Sequence, residues 1–319
     1  MTAPGRRAAL AVLGSAPAAA CWAHMPENTP DSVPAWTFTW SFDPWVVAPL
    51  LLSAALYALG IARLWSRAGR GRGISMLQAT AFAGGWSTLA AALVSPLDAL
   101  GGQLFSAHML QHELLMVLAA PLLCLAQPLA AWTWALPAAA RRALAAFLRC
   151  AAWRWAWRGL TAPLTAWALH AVVLRGWHAP ALFEAALADT AWHTWQHGSF
   201  LASALLFWWA VLRPGQRQGA AGMAYVFTTM LHTAFLGALL SLSNRIWYPG
   251  YLSSTPALGL DPLADQQLGG LLMWVPAGLA YLVSGLALAA RWMTDAGPPQ
   301  RATASALPPG CSGDMPATP

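Results

Sequence analysis

The sequence predicts an all-α fold, a polytopic transmembrane helix bundle with seven spans, its N-terminus outside and its C-terminus in the cytoplasm. Hydrophobic residues make up 58% of the 319-residue chain and charged residues only 9%, too few to cover a soluble surface of this size. Apolar runs of about 20 residues recur, and a run of that length crosses a bilayer. Arginines lie in alternate loops between these runs, as the positive-inside rule describes for multi-pass proteins.

The seven predicted spans follow from the length and position of the apolar runs. They cover residues 44–65, 75–94, 104–127, 160–178, 193–212, 222–242 and 268–292. Together they form one transmembrane domain, residues 44–293. Pro121, Pro163 and Pro276 lie inside spans and are expected to kink them, which membrane helices tolerate.

The distribution of charge between the loops predicts the orientation of the bundle. All 17 basic residues are arginine, and the loops after the first, third and fifth spans hold arginines without any acid. These loop arginines are Arg67, Arg70, Arg72, Arg141, Arg142, Arg149, Arg154, Arg158, Arg213 and Arg217. The other loops hold acidic residues, and the only arginines on that side are Arg175 and Arg245. The arginine-rich loops are therefore placed in the cytoplasm. A nucleic-acid partner is excluded, because the net charge of +6 is spread between apolar runs.

The two ends of the chain are predicted to lie outside the bundle. Residues 1–23 resemble a signal peptide, in which Arg6 and Arg7 precede a short apolar stretch, and cleavage is expected after Ala20 or Ala23. Residues 24–43 then form an exported segment, and residues 294–319 form a disordered cytoplasmic tail. Residues 131–159, between the third and fourth spans, are predicted to include a helix in the inner membrane interface.

Motifs for an enzyme or a disulfide framework are absent from the sequence. It contains no Walker loop, GxSxG, HExxH or CxxC motif, and its four cysteines lie in unrelated segments. We therefore predict that the protein is not an enzyme and that its cysteines are free thiols.

Seven of the eight histidines lie in the predicted spans, where polar groups are costly. A helix rises about 1.5 Å per residue, so the depth of each histidine below the outer surface follows from its position in the span. An outer layer contains His108, His178, His193 and His197, and a deeper layer contains His112, His170 and His232.

Two pairs of these histidines have the spacing of a metal chelate. His108 and His112 are four residues apart and share a helix face, and His193 and His197 repeat this spacing two spans later. Imidazole and thioether are ligands suited to copper. Because polar groups inside a bilayer usually face the bundle interior, we predict that the two pairs face each other in one outward-opening metal site.

Other residues are assigned to the surroundings of this predicted metal site. His232 is predicted as a deeper ligand, and Asp265, His178 and Glu113 are placed around the ligands or along the path by which an ion reaches them. Four methionines add soft sulfur nearby in the sequence: Met109, Met116, Met230 and Met273. Taken singly, each histidine is also explained as an interhelical hydrogen-bonding partner.

Two of the surrounding residues have alternative explanations. Glu113 points about 100° away from His112, so its role is open between an ion pair with Arg175, a contact with an imidazole and proton transfer. Asp265 opens the last span, where capping of that helix is its simplest role.

Three blocks of the sequence resemble a known family. They are "SPLDALGGQLFSAHMLQHELLMVLAAPLL" (95–123), "WHAPALFEAAL" with "WHTWQHGSFLASALLFWW" (177–209), and "DPLADQQLGGLLMWVPAGLAYL" (261–282). In this order they resemble the multi-span assembly factors of caa(3)-type cytochrome c oxidase, the CtaG family, over about residues 44–293. The family positions correspond to His108, His112, His193, His197 and Asp265. Glu113 departs from the pattern, because an apolar residue or methionine is usual there.

The resemblance implies a seven-span protein of the bacterial cytoplasmic (inner) membrane that is needed for oxidase maturation, with copper-centre assembly as the usual suggestion. We therefore expect an assembly factor that holds or passes copper at its outward side. Its expected partners are cytochrome c oxidase subunits, exported copper chaperones and the lipid bilayer. Two alternatives are a b-type haem membrane protein with paired histidines, and a copper transport or resistance permease.

Thiol labelling of intact cells tests the predicted orientation. A membrane-impermeant reagent is expected to modify a Ser254→Cys variant and to leave the native Cys150 unmodified, because residues 243–267 are predicted outside and residues 131–159 inside. Permeabilised cells provide the control in which both positions are open to the reagent. Labelling of Cys150 without residue 254 in intact cells would reverse the orientation and the side of the metal site.

Overall fold

The computed structural model describes residues 39–212 and 219–295, and this part of the chain is helical without a strand. An all-α fold is therefore confirmed. The α-helices are α1 (Pro44–Ala68), α2 (Met76–Leu93), α3 (Pro96–Gly101), α4 (Phe105–Glu113), α5 (Ala120–Ala126), α6 (Pro128–Ala135), α7 (Ala138–Arg149), α8 (Ala151–Leu160), α9 (Pro163–Trp177), α10 (Pro180–Ala188), α11 (Thr190–Leu212), α12 (Ala220–Ser241), α13 (Ser254–Ala257) and α14 (Pro262–Asp295). A π-helix, Leu114–Ala119, joins α4 to α5, and a 3-10 turn, Pro249–Tyr251, follows α12.

Each predicted span corresponds to a helix or to a continuous helical unit. Within the described residues, four units are long and apolar enough to cross a membrane: Pro44–Ala68, Phe105–Ala126, Ala220–Ser241 and Pro262–Thr294. The other three predicted spans correspond to α2, α9 and α11. A membrane protein with four such helices is therefore supported, while the seven-span count and the orientation stay predictions.

Several predictions lie wholly or partly outside the described residues. The leader, most of the exported segment, the tail beyond residue 295 and the loop arginines Arg213 and Arg217 are not described. The predicted interfacial segment contains α7 and α8, and neither helix has a buried residue. Both described cysteines, Cys124 and Cys150, are free thiols as predicted.

A close helix contact in the bundle joins α12 to α14 through glycines. A Cβ added at Gly270 would lie 2.7 Å from the carbonyl oxygen of Gly237 and 2.6 Å from the backbone nitrogen of Ser241. A Cβ added at Gly237 would lie 2.9 Å from the Cβ of Trp274. Small residues of this kind let membrane helices approach closely, so these glycines fix the position of α14 in the bundle.

The helical unit from α4 to α5 changes its hydrogen-bonding pattern immediately after Glu113. In the π-helical register the Ala120 N–H bonds the Leu115 carbonyl, so the Met116 carbonyl would receive its bond from residue 121. Pro121 has no N–H, and Trp208 of α11 donates to the Met116 carbonyl instead, at 2.8 Å. The π segment is thereby fastened to α11, and π segments are frequent at functional sites.

Replacing Gly270 with alanine is expected to lower the thermal stability of the detergent-solubilised protein. Its Cβ would overlap backbone atoms of α12, and overpacking of this kind costs about 1–3 kcal/mol. Gly278→Ala on the same helix is the matched control, because a Cβ there meets nothing within 4 Å. Equal melting temperatures for the two variants would contradict the close packing of α12 on α14.

Candidate metal centre

The N-terminus of α4, the helix that carries His108 and His112, is held by a carboxylate from α14. Leu104 precedes this helix and supplies no side-chain cap. Asp265 accepts hydrogen bonds from the Phe105 N–H at 2.7 Å and the Ser106 N–H at 3.3 Å, and also from the Ser106 hydroxyl. A carboxylate at this position satisfies free N–H groups and complements the helix dipole. Asp265 therefore positions His108, which lies on the first turn of α4.

Two tyrosines of the loop after α12 attach that loop to the same end of the bundle. The Tyr251 hydroxyl donates to the Gly101 carbonyl at 2.9 Å, and the Tyr248 hydroxyl donates to the His178 carbonyl at 2.9 Å. Burial, together with the carboxylates of Asp265 and Glu184, raises the pKa of Tyr251 well above its usual value. The phenol therefore stays protonated and remains a donor.

Gln111 fixes the rotation of α4 about its axis. Its amide donates to the Ala92 carbonyl at 2.8 Å and to the Asp98 carboxylate at 3.0 Å. A Cβ at Gly101 would lie 2.2 Å from the Gln111 amide oxygen, so only glycine leaves room for it. With Gln111 turned toward α2 and α3, the neighbouring residues of α4 present their rings to α9 and α11.

Five imidazole rings meet at this end of the bundle, and we call them the histidine cluster: His108, His112, His178, His193 and His197. Within each i, i+4 pair the ring centres are 4.4 Å apart for His108 and His112, and 4.2 Å apart for His193 and His197. Between α4 and α11, the centre of the His108 ring lies 5.2 Å from that of His193 and 5.7 Å from that of His197. The two predicted pairs therefore face each other, as the spacing indicated.

The rest of the cluster extends from His112. The centre of its ring lies 5.2 Å from that of His197 and 5.7 Å from that of His178. Phe200 and Phe183 pack against these rings, with Phe200 4.5 Å from His112 and Phe183 5.0 Å from His108, measured between ring centres. The cluster is therefore walled by aromatic side chains.

Burial and hydrogen bonding distinguish these histidines from ordinary packed ones. His108, His112, His178 and His197 are at most 6% exposed, whereas His193 is only partly buried. Among the described residues, both ring nitrogens of His108 and His112 and the Nε2 atoms of the other three lack a hydrogen-bond partner. A buried polar atom without a partner is rare in native proteins and often marks a place for an ion or a water.

Three of the five imidazoles already approach the arrangement of a metal site. One nitrogen each from His108, His193 and His197 lies within 4.8 Å of the other two. These donors come from two helices and include the partly exposed ring of His193. Such a set can bind a metal ion through neutral imidazole nitrogens.

His232 and Glu113, assigned to the surroundings of the site by sequence, lie elsewhere. The ring of His232 contacts Trp167 at 5.5 Å and His170 at 6.4 Å between ring centres, which forms a separate histidine pair. Glu113 is buried and lies near Tyr281 of α14. Neither residue shares the ring contacts of the histidine cluster.

The methionines named as sulfur donors belong to the apolar core. Met109, Met116 and Met273 are at most 3% exposed and form part of the main hydrophobic cluster. Met109 packs against α14, since a Cβ at Gly269 would lie 3.1 Å from its Cγ. The grouped donors of the site are therefore imidazole nitrogens.

Three residues lie closer to the histidines in the structure than the sequence predicted. His178 is a full member of the histidine cluster, although the sequence placed it only in the surroundings of the metal site. Asp98 interacts electrostatically with His193, and Gln196 lies fully buried beside His108. Gln196 falls between His193 and His197 in the "HTWQH" block. As a polar residue inside an apolar span, it could have been predicted as a site residue from the sequence.

Comparison with known proteins gives one family and two relatives. The sequence model of the cytochrome c oxidase caa3 assembly factor family matches residues 55–295. An uncharacterized protein of Mycobacterium bovis and one of Mycobacterium tuberculosis are each 30% identical to the chain in an alignment of 271 residues, and the match covers 79% of this chain. The chain spans only 39% of the length of each of these relatives. No solved structure matches the chain.

Replacing Asp265 with asparagine is expected to loosen the start of α4. Both carboxylate oxygens of Asp265 accept hydrogen bonds, so the amide NH₂ of asparagine would face a donor in place of one acceptor. Loss of a helix cap costs about 0.5–2 kcal/mol. Hydrogen exchange at the amides of Phe105 and Ser106 should accelerate, and the melting temperature should fall. Asp261→Asn is the control, because Asp261 is exposed and caps only α14, through the Ala264 N–H at 2.8 Å. Unchanged protection of residues 105 and 106 in Asp265→Asn would contradict the capping role.

Proposed function

The chain belongs to the cytochrome c oxidase caa3 assembly factor family, and from that premise we propose that it acts in oxidase assembly by holding copper at the histidine cluster. Copper is cargo in this proposal, received at one side of the membrane and passed to the oxidase. The metal ligands are His108, His193 and His197, with His112 next to them.

The observation that carries the proposal is the convergence of three unpaired imidazole donors. Nitrogens of His108, His193 and His197 lie within 4.8 Å of one another. A ligating imidazole nitrogen lies about 2 Å from its metal, which places the ring centre about 3 Å away. Two rings on one ion then have centres at most about 6 Å apart, and the three centre separations here are 5.2, 5.7 and 4.2 Å. Small side-chain movements are therefore enough to close the site on an ion.

The chemistry of the donors favours copper among the transition metals. The three ligands are nitrogen donors without a carboxylate, and imidazole suits copper as well as zinc. The family description names an oxidase assembly factor, and the sequence resemblance implies assembly of a copper centre. Zinc therefore fits the donors, whereas copper fits both the donors and the family.

Access to the site runs through His193 in this proposal. His193 is the partly exposed ring of the three, and Asp98 interacts with it electrostatically. An acidic group near the opening attracts a cation and raises its local concentration. Asp265 acts indirectly, by fixing the first turn of α4. His232 is left out of the proposed ligand set because it pairs with His170.

The haem alternative fits the packing of the cluster less well. Two axial histidines must stand on opposite faces of a flat macrocycle, which separates them and occupies the space between helices. Here His108 and His112 contact the opposing rings directly, and Phe183 and Phe200 fill the adjoining space.

A permease requires a polar path along the bundle. Along α11 beyond the cluster, Phe200 and Phe207 are fully buried and Trp208 is 2% exposed. The buried hydroxyl of Ser203 between them is taken up by a contact with His170 at 3.2 Å, so this side of the path is mostly apolar. Delivery on the side where the metal is received is therefore favoured over transport across the bundle.

The proposal includes the cellular setting expected from sequence. The protein is a multi-pass component of the bacterial cytoplasmic membrane, its cluster faces outward, and its partners are oxidase subunits and exported copper chaperones. It binds and transfers an ion without catalysing a covalent reaction.

Replacing His197 with alanine is expected to abolish oxidase maturation in cells that depend on this gene. Loss of a residue that only supports a metal ligand already costs roughly 10–100-fold in affinity, so loss of a ligand should cost at least as much. Oxidase activity and the copper content of the purified oxidase are the measurements, with the membrane level of the variant checked by immunoblot. His170→Gln is the control, a buried histidine outside the cluster. Full activity with normal oxidase copper in His197→Ala would show that the cluster is structural.

A further inference from the structure

His112 and His178 form a second group of donors beside the three ligands. The ring of His178 is 2% exposed, and its Nδ1 lies 2.7 Å from the Leu174 carbonyl oxygen. A carbonyl only accepts, so Nδ1 carries the proton and Nε2 keeps a free lone pair. Nε2 is buried without a hydrogen-bond partner among the described residues. This is the arrangement of metal-ligating histidines, whose second nitrogen donates to a carbonyl and fixes the tautomer.

The surroundings of His178 hold its ring in place. The Tyr248 hydroxyl donates to the His178 backbone carbonyl at 2.9 Å. The ring centres of Phe200 and Phe183 lie 5.8 and 6.4 Å from that of His178. His178 is therefore fastened through its backbone and its Nδ1 atom, while Nε2 has no assigned role.

His112 is the nearest imidazole to His178. It is fully buried with neither ring nitrogen hydrogen-bonded, and its ring centre lies 5.7 Å from that of His178. Two imidazoles that bind one ion from opposite sides have ring centres about 6 Å apart, since each nitrogen lies about 2 Å from the ion. The observed separation suits an ion between the two rings.

From this geometry we propose that His112 and His178 form a second copper position, which takes Cu(I) in two-coordinate form. The inference rests on the proposed function. Zn²⁺ takes four ligands and Cu(II) prefers tetragonal sites with more donors, whereas Cu(I) is stable with two imidazoles. The aromatic walls of Phe183 and Phe200 supply no further donor and suit a monovalent ion.

The second position lies within reach of the first by ligand exchange. The ring centre of His112 is 4.4 Å from that of His108 and 5.2 Å from that of His197. As the ion moves, its bonds to His108, His193 and His197 break while bonds to His112 and His178 form. Copper stays Cu(I) throughout, so no electron donor or acceptor is needed. Two ions this close repel each other, so the positions fill in turn and simultaneous occupancy is weak.

Anaerobic Cu(I) titration of the purified full-length protein against a chromophoric chelator tests this proposal. The wild type is expected to bind one ion tightly and a second about a hundredfold more weakly, as repulsion between two close unit charges predicts. His178→Gln should keep the first ion and lose the second. The double variant His193→Ala/His197→Ala should still bind one ion, with two nitrogen neighbours in X-ray absorption, and adding His178→Gln should abolish that binding.

The controls separate this inference from the proposed function. Adding His170→Gln to the double variant should leave its single ion in place. Binding by the wild type with no second ion, or a second ion that survives His178→Gln, overturns the second position and leaves the first intact. Failure of the wild type to bind any Cu(I) overturns the proposed function itself. The His178→Gln result decides the inference even when the double variant fails to fold, because it needs only one conservative change.

Discussion

The carboxylate of Asp265 on the first turn of α4 is the interaction on which the histidine site depends. It joins residues about 160 positions apart in the chain and satisfies N–H groups that Leu104 leaves uncapped. The glycine contact between α12 and α14 sets the position of Asp265, and Gln111 sets the rotation of α4. His108 and His112 are therefore directed at α11 by contacts that lie outside the histidine cluster.

The cluster itself is costly without a ligand. Each buried ring nitrogen without a partner forfeits a hydrogen bond to water, at about 1–3 kcal/mol. Five imidazoles pack against each other and against Phe183 and Phe200, and several of their buried ring nitrogens have no hydrogen-bond partner among the described residues. A bound cation that draws on several lone pairs removes this cost, which is why the packing of the protein and the proposed copper binding are linked.

The length of the apolar runs was enough to predict the helices of the spans, and the four-residue spacing of the histidines was enough to predict the facing pairs His108/His112 and His193/His197. The depth of a histidine along its span was a weaker guide to its contacts, because depth does not tell which way the helix is rotated about its axis. His112 was assigned to a deeper layer, yet its ring contacts three outer histidines, while His232 at similar depth lies on a helix that turns it toward His170. The π-helix after Glu113 and the Asp265 cap depend on contacts between distant segments, and no local pattern encodes them. His178 lies alone at the end of a span, without a second histidine four residues away, so the sequence did not predict it as a metal ligand.

Elemental analysis of the purified protein, combined with its visible absorption spectrum, tests the central claim most directly. A protein that holds copper through the histidine cluster contains copper and shows no Soret band, and the His178→Gln/His193→Ala/His197→Ala variant, which disrupts both copper positions, loses that copper while remaining in the membrane. Iron with a Soret band, or copper that stays bound in this variant, would contradict the claim.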